Sequence, residues 1–310
     1  MTRRKSRKKG NPVHGWLVLD KPAGTTSTQA VGAVRHIFQA QKAGHAGTLD
    51  PLATGILPIA LGEATKTVPY AVDGQKEYRF TVRWGVETDT DDAEGRTVVT
   101  TDVRPTRATI EALLPRFTGA ILQTPPAFSA VKVAGERAYD LARAGEAVEL
   151  EARPVEIDAL ALVECPHADT AVFAAKCGKG TYVRALARDI GRALGCRGHV
   201  AALRRTRVGA FAEADAITMD DLRTAADVDR GAPVGLLRPV ETALSDLAVL
   251  RVSREETVRL LRGQPVLVRG RDLPPSGPAY ATCKGHLVAL GLIEKGQLRP
   301  TRVFNFSEAG

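Results

Sequence analysis

Gly44-His45-Ala46-Gly47-Thr48-Leu49-Asp50-Pro51-Leu52-Ala53-Thr54-Gly55 carries a single carboxylate, Asp50, in a stretch punctuated by three glycines. Gly44, Gly47 and Gly55 permit backbone dihedrals closed to other residues, while Pro51 drives Asp50 toward an extended conformation and removes the next backbone donor. The implied loop is rigid and aims one side chain, and Asp50 is read as a catalytic nucleophile. Taken alone, such a loop reads first as an Asp-Pro turn with glycine punctuation, and other stretches are needed to overturn that reading. Working outward, Trp16 to Leu19 and Ile56 to Leu61 are short apolar strands. Ser27 is expected to cap a helix that carries Val31, Val34 and Phe38 on one face and delivers the chain to the loop.

Further on, Lys76 to Gly85 alternates Tyr78, Phe80, Val82 and Trp84 with Glu77, Arg79, Thr81 and Arg83, the period-2 pattern of a strand with one aromatic face. Phe80, Val82 and Trp84 are assigned to a core, and Tyr78, at the strand's start, is free to reach a pocket. The acidic run Glu87 to Glu94 fails the register of a calcium loop, because Ala93, Glu94 and Thr100 fall where ligands and the invariant glycine belong. It is expected to be a solvated hairpin loop. Thr106 to Phe117 reads as an amphipathic helix, Val155 to Glu164 and Ala171 to Cys177 as strands, and Thr181 as the cap of a helix bearing Val183, Leu186, Ile190 and Leu194. Tyr182 and Arg184 fall in that helix's first turn. Val200 to Arg207, with Arg204, Arg205 and Arg207, is expected to present a basic surface.

Between strands and helices, Pro125 to Glu151 combines Lys132, Arg137 and Arg143 with Phe128 and Tyr139 and lacks a sustained apolar pattern. It reads as an insertion suited to clamping nucleic acid, or as a plain surface excursion. Six of the first nine residues are basic, which marks residues 1 to 11 as a flexible tail fit for phosphate contacts. After Pro233 and Pro239 the pattern loosens and a new alternation starts, so a boundary is placed at Leu247. Beyond it, Ser253-x-x-Glu256 is a capping box, and strands are expected at Pro265 to Arg269, Ala279 to Lys284, His286 to Ile293 and Leu298 to Phe304. Residues 248 to 310 hold ten Lys or Arg against five Asp or Glu, as a small β-rich nucleic-acid-binding unit would.

Composition narrows the class. A chain of 310 residues, 44% apolar and 25% charged, can bury a full core and a smaller second unit. A net charge of +8 favours a polyanionic partner, RNA or DNA ahead of a membrane surface. Cys165, Cys177, Cys196 and Cys283 form no C-x-x-C pair, so neither a disulfide framework nor a zinc knuckle is implied, and a reducing cytoplasm fits. No apolar run approaches the ~20 residues of a membrane span.

Four stretches together resemble the TruB family of tRNA pseudouridine synthases: Leu19-Asp20-Lys21-Pro22, the Asp50 loop continuing through Leu61-Gly62-Glu63-Ala64-Thr65-Lys66, Lys76-Glu77-Tyr78, and Gly180-Thr181-Tyr182-Val183-Arg184. The match runs nearly the length of the chain. It implies an α+β fold with a mixed, mainly antiparallel sheet flanked by helices over residues 12 to 247, and a PUA-like RNA-binding domain over 248 to 310. The implied reaction isomerises uridine 55 in the T-loop of tRNA to pseudouridine, without metal or cofactor, by an enzyme that acts as a monomer on the T-arm and needs no protein partner. By the same resemblance Asp50 matches the nucleophile, Tyr78 the aromatic that stacks on the flipped uracil, and Arg184 the partner of the aspartate. Tyr182 and Leu203 match pocket-lining contacts, His45 a residue that helps displace the base, and Lys21-Pro22 a motif packed behind the site. Family members commonly carry Tyr where this chain has Phe128, which removes one hydrogen bond from the inserted segment.

Three rival readings are open at this level. A guide-RNA-dependent, dyskerin-like synthase shares the Lys-Pro and Gly-Thr-Leu-Asp-Pro signatures but not the Pro125 to Glu151 insertion. Ser129-x-x-Lys132 with Lys179-Gly180-Thr181 suggests a serine acyl hydrolase, although the S-D-N element of that class is missing at Ser245-Asp246-Leu247. A non-catalytic RNA chaperone would need only the basic tail and the C-terminal unit.

Overall fold

The computed structural model describes residues 10–133, 135–146, 148–229, 231–268 and 274–306. The basic run at residues 1–9 lies outside them, as does Arg269. The chain opens with β1 (Gly15–Lys21), α1 (Ser27–Ile37), β2 (Ala43–His45), β3 (Thr54–Leu61), α2 (Val68–Asp73) and β4 (Lys76–Trp84). A hairpin of β5 (Val86–Thr88) and β6 (Thr97–Thr100) follows, then α3 (Arg107–Leu113) and β7 (Gly119–Gln123). The inserted segment holds β8 (Lys132–Val133), β9 (Glu136–Arg137) and α4 (Ala138–Arg143). Next come β10 (Arg153–His167), β11 (Thr170–Cys177), α5 (Val183–Ala193), β12 (Gly198–Val208), β13 (Phe211–Ala212), β14 (Ile217–Thr218) and α6 (Met219–Val228). The last part consists of β15 (Ala248–Arg251), α7 (Arg254–Leu261), β16 (Val266–Leu267), β17 (Gly277–Cys283), β18 (His286–Glu294) and β19 (Gln297–Val303).

Two sheets result. The larger runs β14-β1-β3-β12-β4-β11-β10-β7, with β2 added to β3 and β13 to β12; only the β1–β14 and β3–β12 pairs are parallel. The smaller runs β15-β17-β18-β19-β16, with β15 and β17 parallel. The fold is therefore the mixed, mainly antiparallel α+β architecture with a β-rich C-terminal domain that the resemblance implied.

Alternation decides which face each side chain serves. In β1, Leu17 and Leu19 join the cluster of Phe80, Val82, Trp84, Leu186 and Ile190, whereas Trp16 and Val18 point to the other face and meet Phe211, Val240 and Leu244. A strand buried on both faces needs an unbroken apolar run, which is why Trp16 to Leu19 carries no polar residue. Phe80 stacks on Phe173 with centroids 5.3 Å apart, and Trp84 meets the same ring edge-on, contacts worth about 0.5 to 1.5 kcal/mol each beyond area burial. The second cluster also takes in Leu287 and Leu290 of the small sheet and Phe304 just after it, so the two sheets share an apolar contact. Removing the C-terminal unit would expose that surface.

Two helix starts differ from expectation. Thr26, not Ser27, caps α1, in a capping box with Gln29, and this frees the buried Ser27 hydroxyl for a longer reach. Ser27 Oγ accepts from the Leu49 amide at 2.9 Å and donates to the Leu49 carbonyl at 3.0 Å, fastening the residue before Asp50. Tyr182, not Thr181, is the cap residue of α5 and makes no side-chain cap bond. Gln123 at the end of β7 does the tying instead, accepting from the Tyr182 amide at 2.8 Å and donating to its carbonyl at 3.2 Å. At α7 the capping box of Ser253 and Glu256 forms as expected.

The acidic run is a correction of another kind. Glu87, Thr88, Asp91 and Asp92 are buried, not solvated. Arg184, Arg188 and Arg192 recur every four residues along one face of α5 and meet these carboxylates: Arg188 Nη1 donates to Asp91 at 2.9 Å and Arg192 Nη2 to Glu87 at 2.6 Å. Local periodicity sees only a polar loop, because the partners that permit its burial lie about a hundred residues away. The expected basic surface at Arg204 to Arg207 is likewise absent. Arg204 pairs with Asp20 and Glu213, Arg207 with Glu77, and Arg205 is fully buried.

Candidate active site

Asp50 sits in the crossing from β2 to β3, held from three directions. Ser27 bonds Leu49; Lys21, buried at the end of β1, donates to the carbonyls of Pro22 (2.8 Å), Thr25 (2.7 Å) and Pro51 (3.3 Å); and the Asp50 carbonyl closes a turn with the Ala53 amide at 3.1 Å. With its ammonium committed to three carbonyls, Lys21 lies behind the loop. Burial pushes its pKa down, and the charge of Asp50 opposes that shift.

Arg184 Nε donates to Asp50 Oδ2 at 2.9 Å. The Asp50 side chain is 37% exposed and that of Arg184 only 6%, so the carboxylate is open to solvent and the guanidinium backs it from inside. The rest of that guanidinium is spent on Thr90 O (2.8 Å) and Phe128 O (2.9 Å), with Asp92 Oδ2 3.7 Å from Nε. One side chain thus ties the Asp50 loop, the acidic loop and the root of the insertion together. Arg188 repeats the pattern one turn on, reaching Asp91 and the Thr124 carbonyl. Burial drives Asp91 up to about 6 while Arg188 and Arg184 pull against it; Arg192 holds Glu87 below its ordinary value.

Tyr78 occupies the start of β4, half-buried and opposite Arg205 in the β4–β12 pair, with the charges of Arg205 and Asp50 both acting on its phenol. Burial raises the pKa of that phenol and Arg205 opposes the rise. Tyr182 is likewise raised by burial and lies near Ser129, Arg184 and Asp50. Leu203 of β12 is buried opposite Phe80, its carbonyl accepting from Thr54 Oγ1 at 3.4 Å. Phe128 packs edge-on against Tyr139 at 6.0 Å, so the ring that replaces the family's tyrosine finds an aromatic neighbour. Ser129 is buried and Lys132 exposed, an arrangement that leaves the acyl-hydrolase pair unassembled.

His45, at the end of β2, has a buried Nδ1 without a partner. Burial first, then the Arg205 charge, lowers its pKa below the ordinary 6.5. The unfolded chain therefore binds more protons between the folded value and 6.5, so the neutral imidazole's contribution is present above that window and is lost as pH falls through it. Between about pH 7.5 and about pH 5.5 the urea midpoint of the parent should therefore fall relative to that of His45→Asn, while Asp91, raised to about 6, stabilises both as pH falls. His14, lowered for the same reason, keeps part of the slope in the variant. Parallel pH profiles for parent and variant would show that His45 is not held neutral.

The family model for the N-terminal domain of TruB family pseudouridylate synthases matches residues 35–183, and that for the C-terminal domain of tRNA pseudouridylate synthase B matches residues 184–245. The chain belongs to the TruB family. The tRNA pseudouridine synthase B of Bradyrhizobium diazoefficiens is 60% identical over 299 residues, covering 95% of this chain and 87% of that protein. The tRNA pseudouridine synthase B of Mesorhizobium japonicum is 53% identical over 322 residues, covering 97% and 99%. Among solved structures, a chain of a Cbf5-Nop10-Gar1 complex superposes with a TM-score of 0.72 at 27% identity, covering 94% of this chain and 84% of that one. The junction of the two matched TruB regions falls between Val183 and Arg184, at the start of α5. No described helix is long and apolar enough to cross a membrane.

Beyond the residues marked in the sequence, the site enlists Ser27, Asp91, Asp92, Arg188 and Arg205. The readable signal for most of them was the spacing of Arg184, Arg188 and Arg192, a row of like charge on one helix face that demands an acidic counterpart. Ser27 and Arg205 left none.

Proposed function

We propose that the protein converts uridine 55 in the T-loop of tRNA to pseudouridine with Asp50 as the covalent nucleophile. In this isomerisation the bond from N1 to C1′ breaks, the uracil turns, and C5 bonds to C1′; the hydrogen of C5 leaves as a proton and N1 gains one. A uracil inside a folded loop must first be extruded, at about a few kcal/mol, and stacking on Tyr78 worth about 1 to 3 kcal/mol offsets much of that cost. Covalent catalysis needs an ionised carboxylate held still, and the observation that carries this reading is Asp50 Oδ2 at 2.9 Å from the buried Arg184 Nε, with the carboxylate open to solvent. Tyr182, His45 and Leu203 line the pocket, and Lys21 positions the loop. Without metal or cofactor, the purified protein should release tritium from carbon 5 of labelled uridine in unmodified tRNA. No release would sink the proposal.

Identities of 60% and 53% to proteins named tRNA pseudouridine synthase B, against 27% to the Cbf5 chain, support a stand-alone tRNA enzyme over a guide-dependent subunit, and we propose that it acts in the cytoplasm as a monomer. Copurification of an obligatory guide RNA would reverse that preference.

Residues 248 to 310 are proposed as a PUA-like unit that holds tRNA through its phosphates. Arg254 and Arg262 at the two ends of α7 are exposed and have no carboxylate partner among the described residues. Because deleting the unit would uncover the apolar surface around Trp16, neutralisation is the cleaner probe. Arg254→Gln with Arg262→Gln should weaken tRNA binding and flatten the log-log salt slope by about 0.7 to 0.9 for each phosphate no longer neutralised. An unchanged slope would leave α7 outside the RNA interface.

A further inference from the structure

Arg205 is among the largest side chains sealed inside the protein, at 1% exposure, and no carboxylate pairs with it among the described residues. A guanidinium buried without a counterion is costly unless its donors are met, so what meets them reveals what it is for. Nε donates to the Ile56 carbonyl at 2.8 Å, Nη2 to Gly47 at 3.0 Å and Nη1 to Thr48 at 3.4 Å. These acceptors flank Asp50 on both sides. The loop between them is closed into a ring around one planar cation.

The glycines of the loop answer to the same residue. Gly55, at φ +98°, stands opposite Arg205 in the parallel β3–β12 pair, and a Cβ there would lie 2.2 Å from the Arg205 carbonyl oxygen. Gly47, at φ +91°, would carry its Cβ 3.3 Å from Arg205 Nη1. Their identities are set by close approach to Arg205 as well as by the turn. Across the antiparallel β4–β12 pair, Arg205 stands directly opposite Tyr78.

The geometry points to Arg205 as the positioning residue of the nucleophile loop: its fork fixes the Gly47, Thr48 and Ile56 carbonyls so that Asp50 meets Arg184, and it seats the Tyr78 ring beside them. This rests on the roles proposed above for Asp50 and Tyr78. A residue that only filled the core would change the amount of folded enzyme and nothing else. A positioning residue changes the rate of the bound complex, and a displacement near 1 Å costs about a hundredfold.

Arg205→Lys keeps a cation but cannot satisfy three carbonyls from one plane, and Arg205→Met keeps the stem without charge. Single-turnover rates at saturating tRNA, tRNA dissociation constants and the folded fraction are measured for each beside the parent and Asp50→Asn. With binding held within about threefold, the rate of fully folded enzyme should fall about tenfold for Lys and about a hundredfold for Met. If the Met variant does not fold, the Lys variant decides alone. A parental rate in Arg205→Lys, or a loss matching only the unfolded fraction, would overturn the inference. Full activity in Asp50→Asn would instead overturn the underlying mechanism, whatever Arg205 does.

Discussion

In Asp50→Asn, tritium release from carbon 5 falls by at least about 10⁴-fold, while tRNA affinity and the folded fraction stay close to those of the parent. The amide matches the carboxylate in size, and its oxygen can still accept from Arg184 Nε, so the loop held by Ser27, Lys21 and Arg205 has no cause to move. What disappears is the charge that attacks. Arg184 is not stranded by the change, because Asp92 lies 3.7 Å from the same nitrogen and the Thr90 and Phe128 carbonyls keep its other donors occupied. Loss of rate with intact binding would therefore report chemistry and not collapse. Full turnover by the Asn variant would remove Asp50 from the mechanism.

The network that protects this interpretation was only half legible in the sequence. Tyr78, Phe80, Val82 and Trp84 declared their strand by alternation, and the Asp50 loop declared itself by glycine and proline, because both signals lie within a dozen residues. Burial of charge does not work that way. Glu87, Asp91 and Asp92 read as solvated since nothing nearby in the chain neutralises them, and the Arg184–Asp50 bond spans 134 residues. Arg205 was the hardest to see: its partners are backbone carbonyls, which every residue possesses, so no side chain elsewhere in the sequence marks where it goes.

The insertion gains meaning from the same network. Its root is gripped by two arginines of α5, Arg184 at the Phe128 carbonyl and Arg188 at the Thr124 carbonyl, and Gln123 binds the Tyr182 backbone just before it. The inserted segment thus shares a guanidinium with Asp50, the carboxylate proposed to be catalytic. Its position and the aim of Asp50 are mechanically linked, whatever RNA it touches.

Tyr78→Phe separates stacking from proton transfer, and its single-turnover rate should fall by about 10² to 10⁴ with tRNA affinity nearly unchanged. Phe retains the ring that faces the uracil, so a residue that is only a platform would show a near-normal rate. Burial raises the Tyr78 pKa, which keeps the phenol protonated at neutral pH. Arg205, its neighbour across the β4–β12 pair, can only donate hydrogen bonds, so the phenol's proton must go to another acceptor. A protonated phenol on which the Asp50 charge acts is suited to relay a proton as C5 loses one and N1 gains one. Phe has neither the oxygen nor the proton. Indistinguishable single-turnover rates for Tyr78→Phe and the parent would reduce Tyr78 to a stacking surface and leave the proton at C5 to another group.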